Sequence, residues 1–92
     1  MTVSWSDAAR DDLAAELASL GAFSATAADR LARGVGEAID RLCLFPLSGR
    51  VVPEWEYDDL REVIVGRHRL IYRTSSDDLQ IVAVHPSAVP LL

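Results

Sequence analysis

Ninety-two residues, half of them hydrophobic, allow one domain over residues 1–92 with a single modest core, and exclude a multidomain machine. The net charge of −5, with nine arginines and no lysine, opposes phosphate-backbone binding unless the arginines gather on one face. Cys43 stands alone, so an internal disulfide is excluded, and no run approaches the roughly 20 apolar residues of a membrane span.

Thr2 to Trp5 is β-prone. Ser6 or Asp7 then caps a helix, because a short side-chain oxygen accepts from the free amides of a first turn. Leu13, Leu17 and Leu20 follow at helical spacing with Ala9 one turn earlier, and Gly21 is the expected end. Ser24 or Thr26 caps a second helix whose stripe is Leu31, Val35, Ala38, Ile39 and Leu42. Gly34 and Gly36 weaken that helix and are expected to allow close approach to the first one. Pro46 stops it. The short connection predicts an antiparallel hairpin.

Leu47 to Asp59 reads as a long irregular connection, with Trp55 and Tyr57 as the expected tethers. Three strands follow: Leu60 to Val65, His68 to Thr74, and Leu79 to His85. Gly66 and the polar run Ser75 to Asp78 supply the turns. The unbroken Ile81-Val82-Ala83-Val84 predicts a central strand covered on both faces. The fold class is therefore α+β: an N-terminal strand joining a sheet edge, a helical hairpin, then a three-stranded antiparallel sheet. A core this small leaves little stability to spare, so a partner that covers apolar surface would help.

Strand alternation places His68, Leu70 and Tyr72 on one face and Arg69, Ile71 and Arg73 on the other, while Arg61 shares a face with Val63 and Val65. Arginines in core strands have two readings. Each reaches the rim or pairs with a carboxylate such as Glu54, Glu56 or Glu62. Alternatively they cluster on an exposed sheet face and bind phosphate or an acidic protein surface. His85 ends the last strand, where a structural role is the commoner one. With two histidines and no ligand spacing, neither a metal site nor a cofactor is expected. The N-terminus has no basic region followed by an apolar run, so a cytoplasmic protein is expected.

Several short motifs, in this order and at this length, resemble the ParE/RelE superfamily of bacterial toxins. Ala9, Asp12 and Leu13 look like its first-helix signature. Leu42, Pro46, Gly49 and Arg50, extended by Pro53 and Glu54, look like its "L...P..GR" segment. Leu60-Arg61-Glu62 with Val65-Gly66, then His68-Arg69-Leu70-Ile71-Tyr72, then Ile81 to His85 look like its three closing strands. The resemblance covers nearly the whole chain. It implies a type II toxin neutralised by a small antitoxin of the ParD/RelB kind, with an amphipathic segment laid against the hairpin and the apolar tail. Leu13, Leu17, Val89, Leu91 and Leu92 are the expected antitoxin contacts.

Two activities exist within that superfamily. ParE-like members inhibit DNA gyrase, and Arg61, Arg69, Arg73 and His85 would then touch the target, with no direct DNA binding by this chain. RelE-like members cleave messenger RNA on the ribosome, and Arg61 and Arg69 would then hold phosphate with His85 as acid or base. The absence of lysine, the acidic total and the plain tail Pro86-Ser-Ala-Val-Pro-Leu-Leu92 favour the ParE-like branch. Members of that branch often carry an arginine soon after the histidine. Its absence here leaves a third reading, an inactive member kept as a binding module.

Overall fold

The structure, a computed structural model, describes residues 1–91. Its elements run β1 (Thr2–Trp5), α1 (Asp7–Phe23), α2 (Ala25–Leu44), β2 (Arg50–Val51), β3 (Leu60–Val65), β4 (His68–Thr74) and β5 (Asp78–Pro86). The helices form the expected hairpin and cover one face of a five-stranded sheet ordered β1-β5-β4-β3-β2. β1 joins the edge parallel to β5, and the remaining neighbours are antiparallel. The closing three strands are therefore the middle of a mixed sheet. The connection expected to be irregular contributes β2, which pairs Arg50 with Glu62 and Val51 with Arg61.

Helix boundaries follow local hydrogen bonding. The Ser6 hydroxyl accepts from the Ala9 amide at 3.0 Å and starts α1. Gly21 does not end it. The helix runs two residues further, because Ser24 closes α1 with its amide and opens α2 with its hydroxyl. Sharing one residue between two caps makes the hairpin as tight as it is. In α2, Leu31, Val35, Ala38 and Leu42 are buried, with Ile39 partly so. Gly34 approaches the sheet and not α1: a Cβ there would lie 2.8 Å from Val65 Cγ1, whereas one on Gly36 would meet open space.

β5 carries the register detail that shapes the site. A bulge opposite Ile71 and Tyr72 leaves Val82 without a partner, so Ala83 pairs with Ile71 and Ile81 with Tyr72. Ile81 and Val84, three residues apart, thereby both face the helices. Val82 and Ala83 both face away and pack in a second, smaller cluster with Val52, Leu60, Ile71, Trp55 and Leu91. Covering both faces accounts for the unbroken apolar run. The Ser6 hydroxyl donates to the Val82 carbonyl at 3.0 Å, and Asp12 Oδ2 accepts from the Val84 amide at 3.1 Å. The start of α1 is thus fastened to the bulge.

Candidate functional site

The non-helical face of the sheet carries a buried ion network. Antiparallel register puts Glu62 opposite Ile71 and Arg69 opposite both Ile64 and His85, on the face away from the hairpin. Arg69 is 7% exposed and lies between two carboxylates. Its Nε and Nη2 donate to Glu62 at 2.5 and 2.7 Å, and Nη1 and Nη2 donate to Glu54 at 2.5 and 2.7 Å. Arg50 Nε completes the group with a 2.9 Å bond to Glu62 Oε1.

Two bidentate pairs on one planar guanidinium fix its orientation as well as its charge. Hydrogen bonds from Arg69 hold the Glu54 carboxyl far down, at about 2. Burial pulls Glu62 up, but the bonds from Arg69 and Arg50 outweigh it and leave that carboxyl lowered as well. The same two glutamates raise the Arg69 guanidinium above its already high value. All three groups stay charged at neutral pH.

Beside the network, Tyr72 fastens the segment that follows α2. Its hydroxyl donates to the Pro46 carbonyl at 2.7 Å and accepts from the Gly49 amide at 3.0 Å, and burial raises its pKa. Gly49 must be glycine here, since a Cβ would sit 2.5 Å from the Tyr72 hydroxyl. Arg61 Nη1 donates to the Gly49 carbonyl at 2.8 Å and more weakly to that of Leu47 at 3.4 Å.

The four residues expected to meet a target do not converge. Arg61 lies opposite Tyr72 and so shares the hairpin-side face, while Arg69 occupies the other face and is sealed between glutamates. The pairing with Glu54 and Glu62 is the one its neighbours in sequence allowed. Arg73 is half-exposed and pairs with Asp59 at 2.6 Å. His85, opposite Arg69, donates from Nε2 to the Val89 carbonyl at 2.7 Å, which folds the tail back over the strand end.

The expected partner contacts are also dispersed. Leu13 and Leu17 line a shallow apolar groove with Trp5, Arg10 and Ala14. Val89 is exposed, Leu91 packs on the second cluster, and Leu92 lies outside the described residues. Trp55 tethers its loop through that cluster, whereas the Tyr57 ring is exposed.

Sequence reasoning did not single out the Tyr72 hydroxyl or Asp12 as hydrogen-bonding anchors. The signal was a polar group at a position that alternation or helical phase turns towards the core. Among the described residues no buried side-chain nitrogen or oxygen lacks a partner, and no cluster of three potential ligands stands ready for a metal ion. No helix is long and apolar enough to cross a membrane.

The profile of the "ParE toxin of type II toxin-antitoxin system, parDE" family matches residues 3–88. The chain belongs to the ParE toxin family. Solved ParE-type structures share the architecture described above. The chromosomal ParDE toxin–antitoxin system of P. aeruginosa superposes with a TM-score of 0.74 at 18% identity, covering 94% of this chain and 95% of that one. The YoeB/ParE toxin from Agrobacterium tumefaciens gives a TM-score of 0.67 at 15% identity, covering 94% and 98%. At such identities these neighbours establish the fold. Among curated proteins none matches this sequence. In ParE terms, the "P..GR", "lRe" and "yRviY" motifs meet in one place: Pro46, Gly49, Arg50, Glu62, Arg69 and Tyr72 fasten the α2–β3 connection to the sheet.

Proposed function

We propose that this chain is the toxin of a type II toxin–antitoxin pair, that it inhibits DNA gyrase by protein–protein contact in the cytoplasm, and that a cognate antitoxin neutralises it. The observation that carries the reading is the match of the ParE toxin family over residues 3–88, on a fold shared with solved ParE-type structures. The acidic net charge supports contact with a protein over direct grip on nucleic acid.

Within this reading Arg61, Arg73 and His85 make the target contacts, because each keeps polar groups at the surface. Arg69 acts indirectly, by holding the sheet face that carries Arg73 and His85 in shape, while Arg61 reaches the surface from the hairpin side. Leu13, Leu17 and Val89 offer apolar surface for the antitoxin, and Leu91 offers its exposed edge beside the second cluster.

The test is a supercoiling assay with purified toxin. Inhibition is expected at micromolar toxin or below and is expected to be relieved by the protein of the adjacent reading frame. Undisturbed supercoiling at that concentration rejects gyrase as the target. Ribosome-dependent cleavage of message by the same preparation would install the ribonuclease reading, and harmless expression without the neighbour would install the inactive one.

A further inference from the structure

We propose that the corner where α2 turns into β2 is the surface with which the toxin grips its protein target, and that the target meets it with an acidic surface around an apolar centre. Ten large apolar side chains are exposed among the described residues, and four of them, Leu44, Phe45, Leu47 and Val51, fall within residues 44–51. Leu44, Phe45 and Leu47 are 74%, 66% and 67% exposed. Single apolar residues on a surface need no explanation, but a group of them marks an interaction site.

The fold fixes the backbone of this corner. The Phe45 amide donates to the Arg41 carbonyl at 2.8 Å, and the Ser48 amide donates to the Phe45 carbonyl at 3.1 Å. Tyr72 holds the Pro46 carbonyl and the Gly49 amide, while Arg61 holds the Gly49 carbonyl. Val51 pairs with Arg61 at the sheet edge. A backbone tied in this way has little freedom left to lose on binding, so contacts made by its side chains are not spent on ordering it.

Charge selects the occupant. From Arg41 to Pro53 the chain has no carboxylate, although 14 of its 92 residues are acidic. Arg41 stands one turn before Phe45, and Arg61 reaches the corner from β3. Among the described residues neither is in an ion pair, whereas Arg33, Arg50, Arg69 and Arg73 each hold a carboxylate. An apolar centre flanked by arginines suits an acidic protein surface and repels a basic one. A second copy would bring the same arginines face to face across a two-fold axis. The antitoxin is expected elsewhere, and the corner shares no residue with the Leu13–Leu17 groove. The proposal rests on the toxin reading and deepens it at Arg61, adding an apolar centre to the charged contact.

The test compares wild type with F45S/L47S, R41E and the control F23S, which removes an exposed aromatic outside the corner. Each is induced without its neighbouring frame and each is assayed for supercoiling inhibition. All four substituted side chains are exposed, and thermal melting checks that the variants fold. The toxin concentration for half-inhibition is expected to rise about tenfold or more in F45S/L47S and in R41E, with growth arrest lost in parallel, and to stay at the wild-type level in F23S. Wild-type potency in F45S/L47S overturns the proposal, as does an equal loss in F23S. Loss of antitoxin binding in F45S/L47S would give the corner to the antitoxin, and a wild-type dimer that F45S/L47S dissociates would give it to a second copy. Either result overturns the proposal. Harmless expression of wild type removes the toxin reading and the corner together, whereas arrest that survives F45S/L47S removes the corner alone. Arrest lost in F45S/L47S while wild type leaves supercoiling undisturbed keeps the corner and rejects gyrase.

Discussion

Replacing Arg69 by methionine should destabilise the chain far more than removing any exposed arginine. The Glu62 side chain is 1% exposed and keeps only Arg50, which is itself 65% exposed, once Arg69 is gone. Glu54 loses the partner that holds its pKa near 2. Breaking a buried pair and stranding its charge costs about 3–5 kcal/mol. Arg50 retains part of the compensation, so the lower end, about 3 kcal/mol, is the expected loss. At about 4–8 °C per kcal/mol for a domain of this size, R69M should melt at least about 12 °C below wild type.

Thermal and urea denaturation at pH 7, followed by circular dichroism, measure this directly. The companion variant E54Q/E62M/R69M removes the charges together, and should recover to within about 1 kcal/mol of wild type, because buried ion pairs are often no better than well-packed apolar groups. A loss below about 1 kcal/mol in R69M would mean that Arg69 is not committed to the glutamates. The case for a free arginine on the target face would then stand. Conversely, a triple variant as unstable as R69M would show that the cost is not uncompensated charge. If the triple variant folds and still arrests growth, Arg69 acts through the frame and not through contact with the target.

Acid should weaken the same network. Carboxyls lowered on folding contribute stability that is present above their unfolded value of 4.5 and is lost as pH falls towards about 2 for Glu54. Denaturation midpoints between pH 5 and 2 should therefore fall more steeply in wild type than in E54Q/E62M/R69M. Y72F removes a hydroxyl that satisfies both the Pro46 carbonyl and the Gly49 amide, and should cost about 1–3 kcal/mol by urea denaturation. G49A forces a Cβ into the Tyr72 hydroxyl and, at 2.7 Å, into the Glu62 carbonyl, and should cost about 1–3 kcal/mol; Y72F removes only the first clash, so a double-mutant cycle should show partial coupling. R73A breaks only a half-exposed pair with Asp59, so stability should change by less than about 1 kcal/mol while gyrase inhibition weakens.

The strands and the second helix were legible because their patterns are periodic. The apolar stripe of α2 and the β3 and β4 boundaries follow from spacing alone. The misses have local causes. Gly21 looked like a stop, yet Ser24 could satisfy the last turn of one helix and the first turn of the next, and that contest is not visible in helix propensity. β2 is two residues long and has no periodicity to show. The β5 bulge is invisible for a different reason. An all-apolar run has no alternation to break, so the extra residue at Val82 leaves no trace in sequence.

The arginines show where pattern reading reaches its limit. Alternation set Arg61 with Val63 and Val65, and Arg69 with Ile71 and Arg73, but could not relate the faces of the two strands; charge counting supplied Glu54 and Glu62 as possible partners. What no spacing rule provides is the loop path that carries Glu54 back across the sheet to meet Arg69. That path depends on Tyr72 and Gly49 at one end and Val52 and Trp55 in the second cluster. The residues that carried the resemblance, Pro46, Gly49, Arg50, Glu62, Arg69 and Tyr72, are thus those that close a loop of weak local preference onto the sheet. A motif under that constraint identifies the fold well and the target poorly. Arg69 is the clearest case, since its guanidinium is taken up by Glu54 and Glu62 and holds the loop in place.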